Sequence, residues 1–303
     1  MVRSIEVILN TRSGSRQAAT ARTTLEKVFT DSGRPFNISV ATGESLTRLA
    51  EEKATADCEV LVAGGGDGTI CSVAEVALKR RKTLGVVPLG TFNYFAKNLG
   101  IPLDVEAAAR MILDGKSVRA PVLDLDGRLV LNSSSIGLHP AVLLNRRKLY
   151  RRWGRNQLNA YLSVLLTALQ PAPRLRLRLA TAAGEVVHET PLVMICSNAF
   201  QMEAFALAGR ECLGEGKFAL YVARVTGRAT TLRLALRTWL RRLRPGIDYE
   251  VVCVSDVTIE TLRRRRDVRA AVDGELERLQ SPMRFRIQPE ALCVLAPPER
   301  PPA

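Results

Sequence analysis

The stretch Leu61-Val-Ala-Gly-Gly-Gly-Asp-Gly-Thr-Ile70 decides the fold. It opens in an apolar run, Glu59 to Ala63, that predicts a buried strand. It closes on a glycine cluster, after which Thr69 to Lys79 reads as a helix. A buried strand that passes through glycines into a helix is the repeating unit of a parallel α/β sheet. Glycines let the chain turn sharply and let a ligand approach the backbone. The free amides at the start of the helix, aided by its dipole, attract phosphate. An acid in such a loop would repel phosphate, so Asp67 calls for a purpose. It could hold Mg²⁺, order a ligand hydroxyl or take a proton. The bland reading is a tight turn with Asp67 as helix N-cap. Three glycines followed by Asp-Gly exceed what a turn needs, which favours a functional loop.

Outward from this loop the same rhythm continues. Upstream, Ile5 to Leu9 and Asn37 to Ala41 read as strands, and Arg16 to Thr30 and Glu44 to Lys53 as helices. Downstream, Leu84 to Pro88 reads as a strand that enters a second loop, Leu89-Gly-Thr-Phe-Asn-Tyr94. There Gly90 makes the turn, and Thr91 and Asn93 offer a hydroxyl and an amide to a nucleotide. A third loop, Asn10-Thr-Arg-Ser-Gly-Ser15, follows the first strand and offers Asn10, Arg12, Ser13 and Gly14. Loops after neighbouring parallel strands lie together at the carboxyl edge of the sheet, where open α/β sheets bind ligands.

The pattern changes after about Val118. Arg174-Leu-Arg-Leu-Arg-Leu179 alternates strictly and predicts a strand with one wet, basic face. Further strand-like runs cover 191–197, 217–225, 249–261, 268–273 and 284–287, interrupted by helices over 158–169 and 228–243. Near the end, Val272-Asp-Gly-Glu275 reads as a hairpin turn, with Asp273 and Glu275 as acids that a cleft could use. The predicted organisation is an α/β N-terminal domain with a parallel sheet over 1–122, a strand-rich domain over 123–288, and a Pro-rich disordered tail over 297–303.

Composition bounds the function. The chain has 303 residues, 44 Lys+Arg against 30 Asp+Glu, a net charge of +14 and two histidines. Two histidines disfavour His-rich metal sites and a Ser-His-Asp hydrolase. No apolar run reaches membrane-spanning length, and the N-terminus reads as no secretion signal. The six cysteines stand in no Cys-x-x-Cys arrangement and are expected to be buried free thiols of a reducing cytoplasm. The charge excess indicates an anionic partner, or codon bias toward Arg, which outnumbers Lys 36 to 8. A nucleic-acid binder would use such charge too, but it would leave the glycine loops unexplained.

Together the four motifs resemble the diacylglycerol kinase catalytic-domain family of lipid kinases, which includes sphingosine kinases and soluble bacterial lipid kinases. The matching residues are Asn10 to Ser15, Gly65-Gly-Asp-Gly-Thr69, Pro88-Leu-Gly-Thr-Phe-Asn93 with Leu99-Gly-Ile-Pro102, and Asp273-Gly-Glu275. Weaker matches are Asn132 to Gly137 and Gly214 to Tyr221. The resemblance implies a β-sandwich-like second domain, a last strand (about 289–296) that returns to the first, and an active site between the two. It implies ATP and Mg²⁺, with Gly65, Gly66, Gly68, Thr69, Gly90, Thr91 and Asn93 at the nucleotide. Asp67 or Asp273 would be the general base and Glu275 would act close to it or to Mg²⁺, with Asp67, Asp273 and Glu215 as metal ligands. The reaction implied is transfer of the γ-phosphate to a lipid hydroxyl, diacylglycerol giving phosphatidic acid, by a cytoplasmic protein peripheral at the inner face of an anionic membrane. A homodimer is compatible with this reading. NAD kinases share the Gly-Gly-Asp-Gly-Thr motif, so an NAD kinase-like enzyme is the alternative, and a catalytically weak lipid- or nucleotide-binding regulator is another. The chain departs from the family at Cys71 and Ser72, where an Asn and an acid are usual, and at Tyr94, where an acid is usual.

Overall fold

A computed structural model describes residues 4–11, 15–43, 45–154, 156–170, 173–224, 227–263 and 266–297. Arg12, Ser13, Gly14, Arg155, Arg264 and Arg265 lie outside the described residues, as do positions 298–303 of the expected tail. The chain divides into two compact units, one of residues 1–122 and 288–303, the other of 123–287.

The first unit is an α/β layer structure. Strands β1 (Ser4–Asn10), β2 (Phe36–Ala41), β3 (Cys58–Gly65) and β4 (Thr83–Pro88) alternate with helices α1 (Ser15–Asp31), α2 (Ser45–Lys53) and α3 (Asp67–Arg80). Short α4 (Tyr94–Asn98) and α5 (Val105–Asp114) follow, and β5 (Lys116–Leu125) leads out of the unit. The strands pair in parallel in the order β2-β1-β3-β4. The end of the chain's last strand, β16 (Met283–Ala296), adds to β4 in parallel through Val294 and Leu84. The central strands are mostly apolar because both faces are covered, although β1 buries Glu6, which accepts from Asn37 at 2.8 Å. On one face α1 and α5 place Leu25, Phe29, Ala109 and Ile112 against Ile5, Val7, Val60 and Val62. Strand order reverses between β1 and β3, so the loops after these strands flank a switch point of the sheet.

The second unit is strand-rich. In chain order it contains β6 (Arg128–Val130), β7 (Ser133–Gly137), α6 (Leu138–Trp153), α7 (Gln157–Leu169), β8 (Leu175–Thr181), β9 (Gly184–Thr190) and β10 (Leu192–Cys196). There follow α8 (Ala199–Ala204), α9 (Arg210–Gly214), β11 (Phe218–Ala223), α10 (Arg228–Trp239), β12 (Tyr249–Val254), β13 (Asp256–Thr261), β14 (Asp267–Val272) and β15 (Glu275–Gln280). One antiparallel sheet runs β12-β11-β10-β7-β14-β15, and the first part of β16 pairs with β13, which pairs with β8 and then β9. The inward residues of both sheets, among them Leu177, Leu179, Ile259 and Phe285 with Ile136, Val193 and Leu220, form one core. This is sandwich packing, and the alternation of β8 follows from it: Leu177 and Leu179 are buried while Arg176 and Arg178 are exposed.

Several local expectations change. Helix α3 starts at Asp67, two residues early, and its N-cap is Gly66 rather than Asp67. The run 249–261 is two strands, because the chain breaks at Ser255 and its halves join different sheets. The cysteines are not all free thiols, because Cys212 and Cys253 form a disulfide where α9 packs on β12. Cys58, Cys71, Cys196 and Cys293 stand outside any disulfide.

Candidate functional site

The site is built in the first unit from the ends of β1, β3 and β4. At the end of β3, Gly66 has extended backbone and α3 begins with no side-chain cap, so its first-turn amides face outward as donors. The second loop returns to the same place. Leu89 donates its amide to the Gly65 carbonyl at 2.9 Å. A Cβ on Gly90 would lie 2.6 Å from the Gly66 Cα, so the two loops touch backbone to backbone. A side chain at Gly90 would push them apart.

Asn93 holds the second loop in shape. It sits in the left-handed region at φ 51°. Its Oδ1 accepts from the Gly90 amide and its Nδ2 donates to the Gly90 carbonyl, both at 2.9 Å. Asn93 is buried, while Thr91 and Phe92 are exposed, and Phe92 stacks on Tyr94 with centroids 5.4 Å apart. Asp67 links the loops, its Oδ1 accepting the Phe95 amide at 3.2 Å. Its carboxylate also lies in the first turn of α3, where the helix dipole favours a negative charge. Oδ2 accepts no hydrogen bond among the described residues. From the switch point, Asn10 donates to the Thr69 hydroxyl at 2.8 Å and ties the β1 loop to α3.

The glycines of the cluster have different reasons to be glycine. A Cβ on Gly64 would strike Leu9 at 2.2 Å, and one on Gly65 would strike Thr69 at 2.5 Å. Gly68 is different, since a Cβ there would meet nothing within 4 Å and its φ is not positive. Neither packing nor backbone conformation explains the glycine at 68, which leaves room for a ligand at the loop. At the positions where the family has acids, the Ser72 hydroxyl donates back to the Gly68 carbonyl, and Tyr94 stacks on Phe92.

The remaining acids belong to the second unit. Asp273 and Gly274 both have positive φ and form the two-residue turn between β14 and β15, pairing Val272 with Glu275. The Asp273 carboxylate accepts the amides of Leu131 and Asn132 at 2.8 Å and of Ser133 at 3.1 Å. Glu275 pairs with Arg147, and Glu215 pairs with Lys217 at 2.8 Å. Among the described residues, the group of three that could hold a metal is Glu211, Cys212 and Cys253. Two of its members are the disulfide partners, and Asp67, Asp273 and Glu215 are not in it.

Sequence reasoning missed a buried polar layer in the same unit. Asn198 donates to the Asn132 side chain at 2.7 Å, both residues being buried. Ser133, Ser134 and Ser135 are all buried in β7, and the Ser135 hydroxyl bonds His139 Nδ1 at 2.7 Å. Burial, with the Arg146 charge second, pushes the His139 pKa down to about 4. The scarcity of histidine was the signal that could have singled it out. The buried thiols of Cys58 and Cys196 are pushed up to about 11 and about 12, chiefly by burial, and stay protonated.

Comparison with known proteins bears on residues 4–125, which match the model of the diacylglycerol kinase catalytic domain. The chain is 37% identical over 118 residues to a Pseudomonas aeruginosa protein described as a probable lipid kinase YegS-like, covering 38% of this chain and 39% of that one. It is 39% identical over 84 residues to a Yersinia pestis protein of the same description, covering 26% and 28%. The chain thus aligns with well under half the length of these curated relatives. A solved structure described as a diacylglycerol kinase from Bacillus anthracis superposes with TM-score 0.66 at 17% identity, covering 98% of this chain and 97% of that one. Another from that organism, described as a candidate diacylglycerol kinase, gives TM-score 0.75 at 16% identity, covering 98% and 96%.

Proposed function

We propose, from the match of residues 4–125 to the model of the diacylglycerol kinase catalytic domain, that the chain is an ATP-dependent lipid kinase. In this reading it transfers the γ-phosphate to a lipid hydroxyl, with diacylglycerol giving phosphatidic acid as the preferred reaction. The observation that carries the proposal is Gly68, a glycine that neither packing nor φ demands, at the uncapped start of α3.

Phosphoryl transfer needs positioning and charge neutralisation more than covalent chemistry. The amides of Asp67, Gly68 and Thr69 cradle phosphate oxygens, and the touching glycines at 66 and 90 keep side chains out of the way. Thr91 and Asn93 are assigned to the nucleotide from the second loop and Asn10 from the first, with Arg12, Ser13 and Gly14 assigned there by the resemblance alone. Mg²⁺ suits the one carboxylate of these loops: it takes oxygen ligands, one or two of them carboxylates, and completes its shell with phosphate and water. When bound it neutralises charge on the phosphates. Asp67 Oδ2 would be the oxygen that either holds that ion or takes the proton of the attacking hydroxyl as the γ-phosphate leaves ADP, and Asp273 is the alternative base. Asp273 and Glu275 are assigned a supporting part as base and its neighbour, and Glu215 a weaker one as metal ligand. The protein meets its substrate at the anionic inner face of a membrane, from the cytoplasm.

The test is transfer of label from ATP to a mixed lipid extract, with the product identified by mass. Asp67→Asn keeps an oxygen for the Phe95 amide, so the variant folds, and lipid phosphorylation falls by ~10²-fold or more. Undiminished turnover by Asp67→Asn would refute the assignment of the carboxylate. Transfer to NAD but to no lipid would favour an NAD kinase-like enzyme. ATP binding with no transfer would favour a regulator, the reading that Ser72 and Tyr94 support.

A further inference from the structure

Helices α6, α7 and α10 of the second unit pack on one another, α7 against both others, and α7 turns a polar stripe inward. On α7 the residues turned inward are Asn159, Ser163 and Thr167, each 4% exposed or less. Their polar atoms are satisfied inside: Thr167 accepts from Asn145 at 2.9 Å and donates to the Ser163 carbonyl at 2.7 Å, and Asn159 donates to the Gly154 carbonyl at 2.8 Å. The leucines point the other way. Leu158, Leu165 and Leu169 on α7, and Leu232, Leu236 and Leu240 on α10, are between 40% and 74% exposed. Both sets have helical spacing, so each forms a stripe. On α10 the inward residues are mixed, Thr231 and Leu234 both being buried. Trp153, at the end of α6, is exposed beside Arg152, whose guanidinium lies 5.4 Å from the indole centroid.

Charge on these helices and the residues beside them is also one-sided. Residues 138–170 and 228–247 carry 12 of the chain's 44 basic residues and none of its 30 acids, so the rest of the chain is near neutral at +2. Residues 76–103 also carry no acid, with five basic residues among them, but 138–170 and 228–247 together hold the larger part of the excess. Some of this charge is answered, Arg147 by Glu275 and Arg237 by Asp248. Lys148, Arg151, Arg152, Arg233 and Arg242 remain exposed, with no acid in an ion pair to any of them among the described residues. None of the helices is long and apolar enough to cross a membrane.

We infer that α6, α7 and α10 form a docking face for an anionic lipid bilayer. The leucine stripes enter the headgroup boundary and the arginines pair with lipid phosphates. Exposed leucines bordered by basic side chains are what an interfacial helix presents, and each basic residue near the surface strengthens attachment about fivefold. The inference deepens the lipid-kinase reading by naming the surface through which such an enzyme would reach its substrate, and it rests on that reading for its purpose only.

The test is co-sedimentation of the full chain with vesicles of phosphatidylcholine alone, and of phosphatidylcholine with 30% phosphatidylglycerol, without ATP. Binding is expected to the anionic vesicles, to fall as salt rises, and to be weak on phosphatidylcholine. Arg151→Glu with Arg152→Glu lowers partitioning by roughly 30-fold or more, and Leu165→Gln with Leu169→Gln by about tenfold. These residues are exposed, so the variants keep the melting temperature and the turnover of a detergent-dispersed lipid. Vesicle binding that both double variants retain in full, or no binding to anionic vesicles, overturns the inference. So does a concentration-dependent dimer that the leucine variant abolishes while wild type ignores vesicles, since a second copy would then cover the face. Because the readout needs no phosphate transfer, a failed docking face and a failed kinase assignment are told apart.

Discussion

Gly68→Ala separates a packing role from a ligand role at the glycine loop. The position is the second residue of α3, its φ is not positive, and the new methyl would meet nothing within 4 Å. Alanine is the better helix former by about 0.5–1 kcal/mol. For a protein of this size that gain raises the unliganded melting temperature by ~1–2 °C. The methyl occupies space in front of amides assigned to phosphate. Overpacking of a fitted contact costs typically 1–3 kcal/mol, so ATP affinity should fall by roughly 5- to 150-fold. Calorimetric titration with ATP–Mg²⁺ reads the affinity, and thermal melting with and without nucleotide reads the stability. The expected outcome is a more stable protein that binds ATP worse. Wild-type affinity would refute the placing of phosphate at this loop. A lower melting temperature would refute the claim that position 68 is open. Gly65→Ala is the contrast, since its Cβ would strike Thr69 at 2.5 Å and the fold itself should suffer.

Gly90→Ala forces the Gly66 backbone to move from a 2.6 Å contact, and a loss of about 1–3 kcal/mol in urea unfolding is expected. Asp273→Ala removes the acceptor for the amides of Leu131, Asn132 and Ser133. Unsatisfied partly buried donors cost ~1–3 kcal/mol each, so a stability loss of about 3 kcal/mol or more should accompany any loss of activity, and equilibrium unfolding checks it. His139 has a folded pKa near 4, below its unfolded value of 6.5. The unfolded chain therefore takes the proton first as pH falls. The contribution is fully present above pH ~6.5 and is lost between ~6.5 and ~4, up to about 3 kcal/mol. His139→Gln should flatten that part of the stability curve, measured as the wild-type minus variant difference; an unchanged slope would refute the burial of a neutral imidazole.

The first unit was legible because its physics is local. Its strands are short, largely apolar runs and those of β3 and β4 lead into glycine turns, so β1 to β4 and their helices read directly from residues 5–88. The loops were legible for the same reason as neighbours at one sheet edge, whereas the contact of Gly66 with Gly90 shows only in the structure. Helix α5 was missed although its signals were present, with Asp104 capping it by accepting the Ala107 amide at 2.9 Å. Strand β7 could not have been read. Ser133-Ser-Ser135 looks like a loop, and it is a strand only because β10 and β14 pair with it on both sides. The tie from Asp273 to residues 131–133 spans 140 residues and more, and no pattern within either segment announces it. The joining of Cys212 to Cys253 across 41 residues is of the same kind.

Helix α7 shows a different limit. Its residues fall into two stripes of the same period, leucines at 158, 165 and 169 and polar residues at 159, 163 and 167. Periodicity names the two faces of a helix without saying which is turned inward. The usual inference, leucines inward, fails here because Asn145, Gly154 and Ser163 offer the polar stripe a complete set of partners. Full burial of a leucine is worth about 1.5–3 kcal/mol, and six exposed leucines forgo several times that in water. A chain of marginal stability does not leave such a term unused on helices that themselves carry no acid, unless the face is covered when the protein works. The charge of +14 then ceases to be a property of the whole molecule. Most of it belongs to residues 138–170 and 228–247, the three helices and the chain beside them, and the proposed anionic bilayer would satisfy the leucines and the arginines together.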